Sequence, residues 1–196
     1  MANLAEKEKF DSFTNLPDNT EDYQQTIIVE RNGQRSKLFN RYNKLEHEIK
    51  EGPWPHTEMF LKHIFASKNM MGESLYEFAL DWLSISFKEP TERVPVLCLV
   101  SRERNTGKST FLEFLRFIFK ENATVLDNER FTGKFTHHFI DKLIIGIDEG
   151  FIPIEQKLMK ERIKNYSMGG KQWLEGKGTN AKEIDTYIHL PGNVQQ

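Results

Sequence analysis

Residues 1 to about 35 show little hydrophobic order. Only Thr26-Ile27-Ile28-Val29 is apolar enough for a short strand, and Asn15-Leu16-Pro17-Asp18 reads as a turn. Residues 1–36 are therefore expected to form a polar arm or linker. From Ser36 the apolar positions Leu38, Tyr42, Leu45 and Ile49 recur at spacings of three and four, which predicts a helix. Gly52-Pro53-Trp54-Pro55 breaks it. A second helix, Thr57 to Ala66, would set Met59, Phe60, His63 and Ile64 on one face. A third, Ser74 to Phe87, is apolar almost all round and predicts burial on several sides before Glu89-Pro90 ends it.

Beyond residue 90 the pattern alternates. An apolar run at 94–100 predicts a strand, with Pro95 near its start where a missing donor is tolerated. A helix at 108–120 follows, then strands at 124–126 and 143–147 and a helix at 155–167 with Leu158, Met159, Ile163 and Tyr166 inward. Gly169 to Gln196 reads as a hairpin followed by a last strand. Alternation of this kind predicts an α/β fold, a parallel sheet flanked by helices. The expected organisation is a small all-helical module over 37–90 and an α/β domain over 91–196, with no internal repeat.

Composition narrows this picture. A chain of 196 residues buries one good core. Its net charge of -2 does not by itself suggest a nucleic-acid binder. No apolar run reaches the 18 or so residues of a membrane span, and Met1 to Phe10 lacks the apolar core of a secretion signal. The single cysteine, Cys98, excludes a disulfide framework or a Cys-based zinc site within one chain, and its strand position suggests a small core residue. A soluble, cytoplasmic protein with no membrane partner fits these features.

Candidate chemistry gathers at two strand ends. Arg104-Asn105-Thr106-Gly107-Lys108-Ser109-Thr110 lies between the first strand of the α/β part and its helix. In that setting backbone N–H groups converge on phosphate oxygens at the positive end of a helix. Gly107 permits close approach, Lys108 carries charge to the β- and γ-phosphates, and Ser109 offers a hydroxyl to Mg²⁺. The usual glycine six positions before the lysine is Arg102 here, and Asn105 takes another position where glycine is common. The second strand end is Leu143-Ile144-Ile145-Gly146-Ile147-Asp148-Glu149. Its carboxylates should emerge at the C-terminal edge of the sheet, Asp148 holding the metal and Glu149 orienting or deprotonating a water. The bland readings are a chance Gly-Lys-Ser triplet and an Asp-Glu pair that merely enters a solvated loop. The pairing of the two segments argues for an ATP site.

Leu99 to Leu112, Leu126 to Phe135, Lys142 to Glu149 and Glu161 to Ile184 together resemble the superfamily 3 helicase domain of phage and viral primase-helicases. The likeness reaches back to Phe39-Asn40-Arg41-Tyr42-Asn43 and His63-Ile64-Phe65. The resemblance implies an AAA+-type P-loop ATPase that uses ATP and Mg²⁺, assembles as a ring, usually a hexamer, and pulls single-stranded DNA through its centre. It further implies DNA contacts from a basic hairpin, here Lys171 and Lys177, and a γ-phosphate sensor at the end of the next strand, for which Asn193 is the candidate. Pro191, which cannot donate to a central ladder, stands against that strand. The arginine supplied by a ring neighbour lies beyond the sensor in the family, so a chain ending at Gln196 reads as truncated.

Lys157 to Lys182 carries seven Lys/Arg against two Glu, with Trp173 among glycines. Such a stretch suits single-stranded nucleic acid; on spacing alone it is a solvated basic face with Trp173 packed on the domain. His137-His138 lacks further ligands at metal spacing, His63 reads as a core residue, and Asp127-Asn128-Glu129 suggests no role. Two rival functions remain: a non-catalytic nucleotide-binding or interaction module that has lost ring assembly, and a small-molecule kinase.

Overall fold

The chain begins with a sheet where a polar arm was expected. A computed structural model, which describes residues 9–48, 50–148, 157–174 and 181–195, has strands β1 (Ser12–Thr14), β2 (Thr26–Arg31) and β3 (Gln34–Asn40) in the order β1-β3-β2. β1 runs parallel to β3, and β2 pairs with it antiparallel. Asn32 and Gly33 join the hairpin at φ of 52° and 73°, the left-handed pair that matches strand twist in a two-residue turn.

This turn overrides the helix expected from Ser36. Residues 34–40 pair with 26–31, and after Asn40 the chain is irregular to Trp54 apart from Ile49, which lies outside the described residues. Tyr42 and Leu45 are buried all the same. Side chains supply the hydrogen bonds that a helix would have made. Asn43 donates its N–H to Asn122 Oδ1 at 3.0 Å, Asn122 Nδ2 donates to the Asn43 carbonyl at 2.6 Å, and Tyr42 Oη donates to Asn19 Oδ1 at 2.8 Å.

Helices α1 (Pro55–Ile64) and α2 (Leu75–Lys88) follow. α1 turns Leu61, Phe60 and Ile64 inward, whereas Met59 and His63 are exposed, against expectation. α2 is not buried on several sides: it buries Ala79, Trp82 and Ser86 and leaves Phe78 and Ile85 in the open. Trp82 Nε1 donates to the Pro95 carbonyl at 2.9 Å, which ties α2 to the chain entering the main sheet.

That sheet contains β4 (Leu97–Ser101), β5 (Ala123–Leu126), β6 (Ile144–Ile147) and β9 (Pro191–Gln195) in the order β4-β9-β6-β5, all parallel. α3 (Lys108–Phe119) connects β4 to β5 through one 3-10 turn. The short α4 (Asn128–Thr132) follows β5, and α5 (Lys157–Ser167) leads into the hairpin β7 (Gly170–Leu174) and β8 (Lys182–Thr186). Asp127, for which the sequence suggested nothing, caps α4: its Oδ1 accepts the Arg130 N–H at 2.7 Å. Pro191 is the first residue of its strand, where no donor is needed, so its presence does not disrupt the ladder. Cys98 is exposed rather than in the core, because β4 is an edge strand that buries only Leu97 and Leu99.

Two apolar clusters fill the interior. One packs Phe111, Leu112, Leu115 and Phe119 of α3 on Leu99 and Ile144, together with Leu61, Phe65, Ala79, Trp82, Tyr42 and Leu45. The 37–90 segment thus shares a core with the α/β part instead of forming a separate helical module. The other gathers Ile145, Ile147, Ile188 and Leu190 with Phe131, Phe139, Met159 and Tyr166. Leu158, expected inward, is half exposed.

His189 is 2% exposed at the entry to β9. Its Nδ1 lies 2.8 Å from Ser86 Oγ, and its Nε2 lies 2.9 Å from the Glu92 carbonyl. A carbonyl only accepts, so Nε2 carries the proton and Nδ1 accepts from the serine hydroxyl. Burial pushes this imidazole down to about 4, and the Glu92 hydrogen bond offsets only part of that.

Candidate nucleotide site

β4 delivers the chain to the candidate phosphate-loop segment. Its last residue, Ser101, is followed by an irregular turn in which Asn105 takes φ 57°, then by Gly107 at φ 87° as the residue preceding α3. Gly107 has a second constraint. A Cβ there would sit 2.9 Å from Ile64 Cδ1, because the end of α1 presses on the turn. The backbone N–H groups that open α3 have no acceptor within the helix, and no side chain caps them.

Lys108 bends back over the turn. Its Nζ donates to Ser101 Oγ at 2.7 Å and to Thr106 Oγ1 at 3.1 Å, while Ser101 Oγ donates to the Glu103 carbonyl at 2.6 Å. Ser101 is a site residue that the motif reading missed. A hydroxyl residue closing an apolar strand just before the turn was the available signal. A cleft of about 370 Å³ is lined by Arg104, Asn105, Thr106, Gly107, Lys108, Ser109, Thr110 and Asn193. An apolar cavity of about 640 Å³ adjoins it between β4 and α1–α2, sharing Thr106 and Lys108.

Asp148 follows the last residue of β6 and is held in register by its N–H, which donates to the Leu126 carbonyl at 2.9 Å. β9 separates β6 from β4, so Asn193 emerges between the two strand ends. Ser109 Oγ donates to Asp148 Oδ1 at 2.8 Å. Asn193 Nδ2 donates to the same carboxylate oxygen and lies 3.3 Å from Ser109 Oγ. Three residues distant in sequence thus share one point at the C-terminal end of three adjacent parallel strands, where such sheets bind ligands.

The donor set fits a hard, magnesium-sized cation. Asp148 and Ser109 offer oxygen ligands, and Mg²⁺ is ordinarily held by one or two carboxylates completed by substrate phosphates and water. No cluster of three or more His, Cys, Asp or Glu side chains suited to a metal occurs among the described residues, the His137-His138 pair included. Glu149 and Lys177 lie outside the described residues.

Lys171 and Trp173 stand on β7, well away in sequence from this cleft. Lys171 Nζ pairs with Glu183 at 3.1 Å across the hairpin. Trp173 is 57% exposed rather than packed on the domain, although its carbonyl accepts from Thr136 Oγ1 at 2.8 Å.

Comparison with known proteins adds three findings. A family described as "Family of unknown function (DUF5906)" matches residues 99–192, the stretch that contains Lys108, Asp148 and Asn193. No curated protein matches the chain. Solved structures of the C-terminal region of NrS-1 share its fold. One has a TM-score of 0.73 at 16% identity and another 0.70 at 17%, each over 94% of this chain. The chain spans only 42% of the length of those structures.

Proposed function

We propose that this chain is an ATP-binding and ATP-hydrolysing part of a phage- or virus-type DNA replication helicase. ATP hydrolysis would be coupled to movement along single-stranded DNA in a ring. The observation that carries the reading is the Ser109–Asp148 hydrogen bond with Asn193 on the same carboxylate. It joins the two halves of a nucleotide site from segments far apart in sequence. The apolar cavity beside Lys108 supports it by offering room next to the phosphate cleft. The fold likeness to NrS-1, a phage primase-helicase, points to the same replication context. A phage protein of this kind would work in the bacterial host cytoplasm.

In this reading the N–H groups opening α3 bind the β- and γ-phosphates, and Lys108 exchanges its Ser101 and Thr106 partners for phosphate oxygens. Ser109 and Asp148 would hold Mg²⁺, which when bound neutralises charge developing on the phosphates. Asn193, fixed between the strand ends, donates to the γ-phosphate or to the water that attacks it. Glu149 orients that water and takes its proton. Phosphoryl transfer depends mainly on such positioning and charge stabilisation.

The experiment is ATP turnover by the chain with and without single-stranded DNA, alongside fluorescent-nucleotide binding. Lys108→Ala should abolish binding, while Glu149→Gln should bind nucleotide and fail to hydrolyse it. Equal turnover in wild type and both variants removes the assignment. Binding without turnover in the wild type would favour the non-catalytic module. DNA-insensitive phosphate transfer to a metabolite would favour a kinase. A ring predicts an increase in apparent mass with ATP on sizing.

A further inference from the structure

A second groove, of about 390 Å³, lies between the segment after α4, the helix α5 and the strand β7. Lys134 and Arg162 stand on its walls, Leu158 and Trp173 present apolar surface, Gln172 adds an amide, and Glu161 is the one carboxylate among the described residues that line it. Trp173 is 57% and Leu158 51% exposed. An indole this open offers a large π-face to a planar ligand.

The backbone that carries the indole is fixed. The Trp173 carbonyl accepts from buried Thr136, whose hydroxyl lies 2.8 Å away, and Trp173 sits in register opposite Glu183 in the hairpin. Arg162 is likewise oriented, with Nη1 donating to the Phe131 carbonyl at 2.6 Å. That uses one of five donors, and no carboxylate pairs with the guanidinium among the described residues. Lys134 has no ion pair there either. Glu161 faces Lys157 at 3.8 Å, which partly neutralises its charge. An exposed aromatic face beside two cations that have no carboxylate partner among the described residues matches a nucleotide, with a π-face for stacking and a phosphate for the cations.

We propose that this groove binds one nucleotide of a single-stranded nucleic acid, its base stacked on Trp173 and its phosphate held by Lys134 and Arg162. The proposal rests on the single-stranded DNA part of the function proposed above. It moves the contact off the hairpin lysine expected from the sequence, because Lys171 is already paired with Glu183. Gln172, which also lines the groove, donates its Nε2 to the Asn165 carbonyl at 3.4 Å.

The test is fluorescence anisotropy of the full chain with a labelled oligo-dT and with an abasic strand of the same length. Wild type should bind oligo-dT about tenfold more tightly than Trp173→Ala does. Trp173→Phe should retain most of that affinity, and the abasic strand should bind both Trp173→Ala and wild type alike. Lys134→Ala, an exposed site, should weaken binding and lower the salt slope by about one counterion, while Lys171→Ala should change little. If Trp173→Ala binds as tightly as wild type, the groove is overturned while DNA binding elsewhere stands. If the abasic strand binds wild type as well as oligo-dT, the groove is a polyanion site and stacking is overturned. If wild type binds neither strand, the groove and the DNA part of the functional reading fail together, whereas nucleotide binding at Lys108 is judged separately.

Discussion

His189 should make the protein acid-sensitive in a narrow window. The buried imidazole titrates at about 4, against an ordinary value near 6.5 in the unfolded chain. The unfolded state therefore takes up the proton first as pH falls. The stability held by the neutral ring is complete above about pH 6.5, declines through the interval, and is gone below about pH 4. A gap of roughly 2.5 units at 1.36 kcal/mol each corresponds to about 3 kcal/mol, lost at up to about 1.4 kcal/mol per pH unit. The structural cause is burial: protonating Nδ1 would place a positive charge in a site 2% exposed to water, whose hydrogen-bond partners, the Ser86 hydroxyl and the Glu92 carbonyl, are both neutral. The assay is urea unfolding at pH 7, 6, 5 and 4.5 for wild type and His189→Gln. The glutamine variant should start less stable and show a shallower loss with acid, since it has nothing to protonate there. Parallel pH profiles for the two proteins, or an NMR titration of His189 near 6.5, would refute the reasoning. His189 also precedes β9, its N–H donating to the Leu143 carbonyl at 2.7 Å, so a local effect on Asn193 should appear only as the folded-state ring takes up its proton near pH 4.

Three further outcomes follow from the geometry. Gly107→Ala places a Cβ 2.9 Å from Ile64 Cδ1 at φ 87°, and should cost about 1–3 kcal/mol in thermal or urea unfolding and abolish nucleotide binding, with Ile64→Ala restoring part of the stability only. Asp148→Asn should remove the Mg²⁺ dependence of nucleotide affinity measured by titration calorimetry while leaving stability within about 1 kcal/mol, because the amide still meets Ser109. Arg41→Ala leaves the buried Asp141 carboxylate with only the longer Lys142 pair at 3.6 Å and should destabilise by about 1–3 kcal/mol; Asp141→Asn in the same background should recover much of that.

The phosphate-loop segment was legible because its signal is local. An apolar strand, a turn with Gly107, and a helix opening at Lys108 occupy neighbouring residues, and each demands its own residue types. The strand at 144–147 was legible for a related reason, since a run buried on both faces needs no partner to be recognised, whereas the partly buried edge strand at 123–126 was legible from its β-branched Thr124 and Val125. The start of the chain was misjudged because Leu38, Tyr42 and Leu45 satisfy a helical spacing by coincidence. The Asn32-Gly33 turn, a strong hairpin signal, was the evidence that outweighed it. His63, Met59 and Leu158 show the same weakness in the helices. Periodicity says which residues share a face but not whether anything covers it.

Residue type and order by themselves singled out the side chains of the proposed site: Lys108 and Ser109 at a helix start, Asp148 at a strand end. They did not determine that these meet. Strand order decided that, because β9 inserts between β4 and β6 and brings Asn193 to the carboxylate. It likewise took the folded chain to leave Trp173 exposed between Lys134 and Arg162, and to tie Lys171 to Glu183. Hydrogen-bond pairing between distant strands is set by how the whole core packs, and no local pattern encodes which neighbour a strand will find.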